Sequence, residues 1–142
     1  MASLFNHLLV PLDFTPKNAA ALRVALDMAK QNNARVTLMH VVETIDYADD
    51  EEIAAFYETL KKRARAKLES YAESFHDAKL SVAVKIVMGK TSRGIVSYAM
   101  QKDIDLVILS SHKVKLDEAP KGWATLSYQV SILCQCPVLL VK

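Results

Sequence analysis

Five short runs of apolar residues alternate along the chain with longer segments in which apolar residues recur every three to four positions. A near-continuous apolar run is typical of a strand covered on both faces, whereas a spacing near 3.6 residues is typical of an amphipathic helix. The alternation predicts an α/β fold: an open parallel five-stranded sheet with right-handed crossovers and helices on both faces. The predicted strands are residues 8–12, 35–42, 80–87, 105–109 and 137–141.

Turn and cap residues mark the ends of the predicted helices. We expect Thr15 to be the N-cap of the first helix, Pro16 to be its first residue, and Asn32–Asn33 to end it. Either Thr91 or Ser92 is expected to cap the third helix. The predicted helices are residues 16–31, 53–75, 91–100 and 123–135.

The second predicted helix has two different faces. Ile53, Phe56 and Leu60 begin an apolar stripe that should pack against the sheet. The other face carries a run of basic residues. This run could bind a polyanion, but we interpret it as a solvated helix face. The basic residues of that face are Lys61, Lys62, Arg63, Arg65 and Lys67.

Length and composition restrict the class of protein. The chain has 142 residues, 51% of them hydrophobic and 24% charged, which predicts one globular domain over residues 1–142. The net charge is 18 − 16 = +2, so no bulk charge favours nucleic acid or an anionic membrane. No apolar run approaches the ~20 residues that span a bilayer, and residues 1–7 lack the basic start of a secretory signal. We therefore expect a cytoplasmic protein.

In open parallel sheets, ligands bind beyond the carboxyl ends of the strands, where the strand order reverses. The residues at those ends are the first candidates for a site. They are residues 13–15, 41–43, 88–89 and 110–112.

Four stretches, taken in order, resemble the universal stress protein family: Leu9–Asp13, Leu38–Val42, Val87–Gly89 and Gly122–Lys142. The resemblance extends over almost the whole chain. It implies a Rossmann-like fold of the adenine-nucleotide alpha-hydrolase type and a regulatory role in the stress response. One branch of the family binds ATP or AMP, and the other branch does not.

Nucleotide-binding members of that family carry the pattern G-x-x-G-x9-G-[ST] after the fourth strand. In this chain Ser110, Lys113 and Ala124 stand at the three glycine positions, and the second spacing is one residue longer. Glycine lets a phosphate approach backbone N–H groups, and a left-handed backbone costs another residue roughly 1–2 kcal/mol. We therefore expect a degraded phosphate loop and weak or absent ATP binding.

The alternative is a member that binds ATP or AMP through a variant loop. Ser110, Ser111, Thr125 and Ser127 would then replace the glycine-rich contacts, helped by the N-terminus of the last helix. The resemblance implies that Asp13 accepts a hydrogen bond from the ribose. The whole candidate site for an adenine nucleotide consists of Pro11, Asp13, Phe14, Val41, Gly89, Ser110, Ser111, His112, Thr125 and Ser127.

The resemblance also implies that the backbone of Val41 reads adenine and that Gly89 permits close approach of the ribose. Simpler interpretations of the same positions stay open. Asp13, Thr125 and Ser127 could act only as caps, Gly89 could be a turn residue, and His112 could be a solvated loop residue. For two further residues, we interpret His40 as a core or interface histidine, while Trp123 could pack on the sheet or stack on adenine.

The sequence favours a binding module over an enzyme. The four histidines lack metal-ligand spacing, so we predict no metal site, and the chain has no P-loop lysine and no G-x-S-x-G elbow. Cys134 and Cys136 do not form a C-x-x-C motif, and we interpret them as structural thiols.

The C-terminal strand is short, apolar and expected at an edge of the sheet, where it could pair with another chain. The family resemblance implies a homodimer through this strand, alongside regulatory protein partners. A strand covered by residues 110–121 is the alternative. The residues of the predicted interface are Pro137, Val138, Leu139, Leu140 and Val141.

Overall fold

The computed structural model describes residues 3–44, 50–113, 117 and 125–142. Strands and helices alternate in these residues in the predicted order. The strands are β1 (His7–Pro11), β2 (Arg35–Glu43), β3 (Val82–Gly89), β4 (Leu106–Ser110) and β5 (Val138–Val141). The helices are α1 (Asn18–Asn32), α2 (Glu51–Asp77), α3 (Thr91–Gln101) and α4 (Leu126–Leu133).

The five strands form one parallel sheet in the order β3-β2-β1-β4-β5. From β1 the chain proceeds outward to β2 and β3, then crosses to the other side of β1 to form β4 and β5. The strand order therefore reverses between β1 and β4, and this is the point where open α/β sheets bind ligands. The predicted open parallel α/β sheet is confirmed.

Two helical layers cover the sheet. One core cluster joins α1 and α2 to the sheet, and a second cluster joins α3 and α4 to the opposite face. Ala21, Ala25 and Ala29 of α1 are fully buried, since their small side chains let the helix approach the strands closely. Every residue of β1 is buried, as expected for the central strand of a sheet with both faces covered.

The start of α1 differs from the prediction. The N-cap is Lys17, which makes no side-chain cap hydrogen bond, and Thr15–Pro16 form a turn before the helix. The Thr15 hydroxyl instead donates to the Asp13 carboxylate at 2.7 Å. Thr15 is therefore tied to the end of β1 and not to the helix, and the predicted cap was wrong. The predicted end is confirmed, because Asn33 takes the left-handed conformation after the last helical residue.

The cap prediction for α3 was also wrong. Lys90 is its N-cap and makes no side-chain cap hydrogen bond. Thr91 is the first helical residue, and its hydroxyl donates to Glu43 Oε1 at 2.7 Å. The hydroxyl therefore joins α3 to the end of β2.

Within α2, Phe56 is 59% exposed, so its predicted place in the apolar stripe was wrong. Its neighbour Tyr57 is buried instead. The helix begins after Asp50, whose carboxylate accepts a hydrogen bond from the Glu52 backbone N–H.

The last helix is shorter than predicted. Its N-cap is Thr125, and it ends at Leu133 because Cys134 has extended backbone. Trp123 lies outside the described residues, as does most of the predicted 110–121 loop. None of the helices in the described ranges combines the length and the apolar character needed to cross a membrane.

Candidate functional site

A small cleft opens at the switch point, between the carboxyl ends of β1 and β4. It has a volume of about 70 Å³ and is lined by strand ends and by the first residues of three helices. We call it the switch-point cleft. Its residues are Pro11, Leu12, Asp13, Asn18, Met39, His40, Val41, Thr91, Ile95, Leu109, Ser110 and Leu126.

Asn18, at the start of α1, holds the two central strand ends together. Its Oδ1 accepts hydrogen bonds from the backbone N–H groups of Asp13 (3.1 Å) and Phe14 (2.8 Å). Its Nδ2 donates to Ser110 Oγ at 2.9 Å, at the end of β4. The side chain is 1% exposed, so these bonds replace water that the buried amide has lost.

Asp13 places a negative charge at the mouth of the cleft. Its Oδ1 accepts hydrogen bonds from the Thr15 backbone N–H (3.1 Å) and hydroxyl (2.7 Å). Partial burial raises the pKa of Asp13, but hydrogen bonds from Thr15 and Asn18 and the charge of Lys17 outweigh it, so the pKa lies below its ordinary value. The carboxylate is therefore ionised at neutral pH and can accept hydrogen bonds from a ligand hydroxyl.

On the β4 and α4 side of the cleft, hydroxyl groups form hydrogen bonds, and one of them belongs to Ser110, at the first of the three positions where the predicted motif has glycine. Ser110 Oγ accepts from Asn18, and the buried Ser111 accepts from the Ser127 hydroxyl at 3.0 Å. The Thr125 side chain accepts from the Tyr128 backbone N–H, as an N-cap does. The two serine contacts join the end of β4 to α1 and to α4.

The predicted site residues fall into two groups. Pro11, Asp13, Val41 and Ser110 line the cleft, and Ser111, Ser127 and Thr125 follow its β4 and α4 wall. Three others lie elsewhere: Phe14, Gly89 and His112.

Gly89 ends β3, which is an edge strand, and lines a different cavity. Its φ of +133° favours glycine whatever lies nearby, which agrees with the alternative of a turn residue. Phe14 lines a neighbouring cavity on the α2 side, and His112 is exposed. Of the motif positions, Lys113 is exposed and Ala124 lies outside the described residues.

Asn18 and Thr91 line the cleft but were not among the predicted site residues. Asn18 could have been found as a polar residue at the start of a helix, five positions after a strand-ending aspartate, because Asn readily bonds nearby backbone groups. Nothing local indicates Thr91, whose bond to Glu43 spans 48 positions. His40, interpreted as a core or interface histidine, borders the cleft and bonds the Leu12 carbonyl oxygen through Nδ1 at 2.7 Å.

The structure also bears on metal binding and on the reactivity of the two thiols. Within the described ranges, no three His, Cys, Asp or Glu side chains come together in a way that could hold a metal ion. Burial and the neighbouring Cys136 raise the pKa of Cys134 to about 11, and burial also raises the pKa of Cys136. Both thiols are therefore protonated at neutral pH, which supports their interpretation as structural residues.

Comparison with known proteins agrees with this architecture. Residues 4–142 match the sequence profile described as "Universal stress protein family". The chain is 27% identical to universal stress protein YxiE of Bacillus subtilis over 150 residues, which cover 98% of the chain and 100% of the relative. It is 25% identical to the solved structure of MJ0577, with a TM-score of 0.82 over 99% of this chain and 97% of that one.

Two further structural neighbours were solved with ligands. One is a universal stress protein in complex with cAMP, 16% identical, with a TM-score of 0.78 and coverage of 99% of both chains. The other is the universal stress protein from Archaeoglobus fulgidus in complex with dAMP, 15% identical, with a TM-score of 0.70. It covers 99% of this chain and 100% of that one. At these identities the likeness shows the fold.

The sheet order and the cleft at its reversal define the class as an open, Rossmann-like α/β protein with a ligand-type cleft at the switch point. Within that class, the chain belongs to the universal stress protein family, as the profile match over residues 4–142 shows.

Proposed function

We propose that this protein is a non-catalytic regulatory module whose phosphate-binding loop is degraded, so that ATP binds weakly or not at all. One observation carries the proposal. The hydroxyl of Ser110 is bonded across the cleft to Asn18, the hydroxyl of Ser111 is bonded to Ser127, and the cleft holds only about 70 Å³. Pockets for organic ligands usually hold about 300–1,000 Å³.

Admitting a nucleotide in this place would require the wall to open. If the hydrogen bond of Ser110 to Asn18 or that of Ser111 to Ser127 breaks without replacement, each costs about 0.5–1.5 kcal/mol. A bulky residue forced into a glycine-type conformation adds roughly 1–2 kcal/mol. Since about 1.4 kcal/mol is a tenfold change in affinity, two such bonds and one such residue together support a loss of roughly one and a half to three and a half orders of magnitude.

The second candidate is an AMP- or ATP-binding protein that uses the variant loop of Ser110, Ser111, Thr125 and Ser127. The ionised Asp13 at the mouth of the cleft favours it, because a carboxylate accepts hydrogen bonds from ribose hydroxyls. The neighbours solved with cAMP and dAMP also support an AMP-type ligand. In this candidate the hydroxyls of Ser110, Ser111 and Ser127 exchange their hydrogen bonds within the protein for hydrogen bonds to phosphate.

Calorimetric titration of nucleotide-stripped protein with ATP and then AMP, each with Mg²⁺, separates the two candidates. The proposal predicts no heat, or an affinity no tighter than about 1 mM. Micromolar binding that is lost in Asp13→Asn would overturn it and establish the second candidate. Asp27→Asn is the matched control, since it removes the same charge from an exposed position about 14 Å along α1 from Asn18.

A restoration variant strengthens the test. The triple substitution Ser110→Gly, Lys113→Gly and Ala124→Gly returns the glycine pattern, although with the longer spacing. We expect it to bind ATP at least tenfold more tightly than the parent protein while its circular dichroism is unchanged. A folded triple variant that binds no better would show that the missing glycines do not limit binding.

We also propose that the chain is a single domain that forms a cytoplasmic homodimer through its C-terminal strand and acts through protein partners. β5 is an edge strand that pairs only with β4 among the described strands. Leu139 on β5 and Ile132 and Leu133 at the end of α4 are exposed apolar residues. An apolar edge of this kind favours pairing with a second copy.

A further inference from the structure

A second cavity, on the α2 side of the sheet, lies next to the switch-point cleft. We call it the Phe14 pocket, and its principal residues are Phe14, His40, Val42, Leu60, Arg63 and Lys67. It holds about 290 Å³, about four times the volume of the cleft and close to the lower limit for pockets that take organic molecules. The two cavities share only His40 and Val41 among their lining residues.

One wall of the pocket is aromatic. The rings of Phe14 and His40 are stacked with centroids 4.2 Å apart and planes at 24°, and Tyr71 lies 6.3 Å from Phe14. The His40 Nδ1–H donates to the Leu12 carbonyl oxygen, which fixes the orientation of the imidazole. A half-buried ring pair of this kind offers a flat apolar surface to another planar ring.

The backbone of Phe14 has an unusual conformation. Its φ is +65°, in the left-handed region that bulky residues rarely adopt, and Asn18 holds it there by accepting a hydrogen bond from its N–H. Such strain persists only where the surrounding structure enforces it, and it is found preferentially at ligand sites.

The opposite wall is cationic. Arg63 and Lys67 lie four residues apart on α2, so they are neighbours on one face of the helix, and both are exposed. Among the described residues neither forms an ion pair, and Lys67 Nζ lies 5.9 Å from the centroid of the Phe14 ring. Like charges at this spacing repel each other, and an anion between them would relieve the repulsion. Glu43 also lines the pocket as its one acidic residue among the described ones, and its Oε1 accepts a hydrogen bond from the Thr91 hydroxyl.

We propose that the Phe14 pocket is a second ligand site that binds a small aromatic anion. The ring of the ligand packs on Phe14 and His40, and its carboxylate or phosphate lies between Arg63 and Lys67. The volume limits the ligand to one or two rings with one anionic group. The run of cations on α2 is then divided, with these two residues serving the pocket and Lys62 and Arg65 remaining outside it.

Phenyl phosphate is the probe, with inorganic phosphate and phenol as its two halves. Calorimetry should detect binding of phenyl phosphate, at least tenfold weaker binding of each half, and weakening at higher salt. In proton NMR spectra, the ring signals of Phe14 and His40 should shift as phenyl phosphate saturates. Benzoate should also bind, because the pocket recognises a ring with a charge rather than phosphate itself.

Variants of α2 locate the site. Arg63→Gln and Lys67→Gln should each weaken phenyl phosphate binding about tenfold, as expected when one charge-assisted hydrogen bond is lost. Arg65→Gln removes the same charge from the same helix outside the pocket, and it should change binding less than twofold. Phe14→Leu should weaken phenyl phosphate but leave inorganic phosphate unchanged.

Three results would overturn the proposal. They are equal weakening by Arg65→Gln and Arg63→Gln, inorganic phosphate binding as tightly as phenyl phosphate, and saturation that leaves the ring signals of Phe14 and His40 unchanged. Asp13→Asn keeps this test independent of the proposed function, since Asp13 lines only the switch-point cleft of the two cavities. Phenyl phosphate binding should be the same in Asp13→Asn as in the parent protein.

Discussion

The side chain of Asn18 makes three hydrogen bonds although it is almost fully buried. Two of them satisfy the N–H groups of Asp13 and Phe14, and the third reaches Ser110 on β4. The residue therefore joins the ends of β1 and β4, and it supports both the charge of Asp13 and the left-handed backbone of Phe14. A single amide thus serves the switch-point cleft and the Phe14 pocket.

Asn18→Ala should lower the free energy of unfolding by about 2–3 kcal/mol, because it removes three hydrogen bonds and leaves two partly buried backbone N–H groups without their acceptor. Ser110→Ala removes only the third bond and should cost about 1 kcal/mol. Urea denaturation followed by circular dichroism measures both values. If the two variants were equally stable, the N–H groups of Asp13 and Phe14 would not depend on Asn18.

At the scale of the elements, α2 carries both the apolar residues that cover the sheet and the two cations of the Phe14 pocket. Asp50 starts it by accepting a hydrogen bond from the Glu52 N–H, and Glu51 and Glu52 place negative charge in the first turn. That charge is favourable at the positive end of the helix dipole. The cap therefore helps to determine where α2 begins.

Asp50→Ala should lower the free energy of unfolding by about 1 kcal/mol, the usual cost of a lost N-cap. Asp50→Asn keeps an acceptor at the same position, so it should lower the free energy of unfolding by only about a few tenths of a kcal/mol. Thermal and urea unfolding of the two variants provide the measurement. Equal losses in Asp50→Asn and Asp50→Ala would show that the charge, which both variants remove, and not the capping acceptor is the important contribution.

The edge strand β5 carries the prediction of a homodimer. Leu139→Lys places a charge on the exposed apolar strand, so it should convert a dimer of 15.8 kDa chains to monomers. Leu4→Lys makes the same change at a residue that is 79% exposed and remote in sequence from β5, and it should leave the dimer intact. Analytical ultracentrifugation distinguishes these outcomes. A parent protein that is monomeric at high micromolar concentration would contradict the prediction.

At the scale of the whole molecule, the two ends of the sheet differ. The carboxyl end carries both cavities, and the amino end carries a buried histidine. Arg35 Nη2 lies 3.4 Å from His7 Nδ1 and can only donate, so Nδ1 accepts and Nε2–H donates to Thr37 Oγ1 at 2.8 Å. Burial and the Arg35 charge lower the pKa of His7, although Asp105 opposes this.

The lowered pKa of His7 predicts acid sensitivity. At pH values below 6.5, the ordinary pKa of histidine, His7 binds a proton more readily in the unfolded chain than in the folded protein. The contribution of His7 to stability is therefore fully present above pH 6.5 and is lost as the pH falls below it. Because only one proton is involved, the free energy of unfolding cannot change by more than about 1.4 kcal/mol per pH unit through His7.

Urea denaturation of the parent protein and of His7→Gln between pH 7.5 and about 5 measures this contribution, because other titrating groups cancel in the difference. The free energy of unfolding should fall more steeply in the parent protein as the pH decreases. Parallel curves would show that His7 has the same pKa in the folded and unfolded states.

The order of elements, the parallel α/β class and most of the buried faces could be predicted from the sequence alone. Apolar runs such as Leu8–Val10 and the alanines of α1 are local patterns that favour a buried strand and a buried helix face, and their alternation along the chain indicates the α/β class. Their ends were harder to predict, because at Thr15 and Thr91 a hydroxyl bonds to a carboxylate in place of a helix N–H. Local propensity cannot anticipate a partner 48 positions away, as Glu43 is from Thr91.

Which strand ends meet could not be predicted from the sequence and is seen only in the folded chain. The order β3-β2-β1-β4-β5 brings Ser110 within hydrogen-bond distance of Asn18 across 92 positions, and it places Gly89 at the end of an edge strand, where it lines a different cavity. It also brings Phe14 next to Lys67, which joins two parts of the chain that no short pattern connects. The physical reason is that periodicity determines which face of an element is buried, while long-range packing determines which neighbours that face meets.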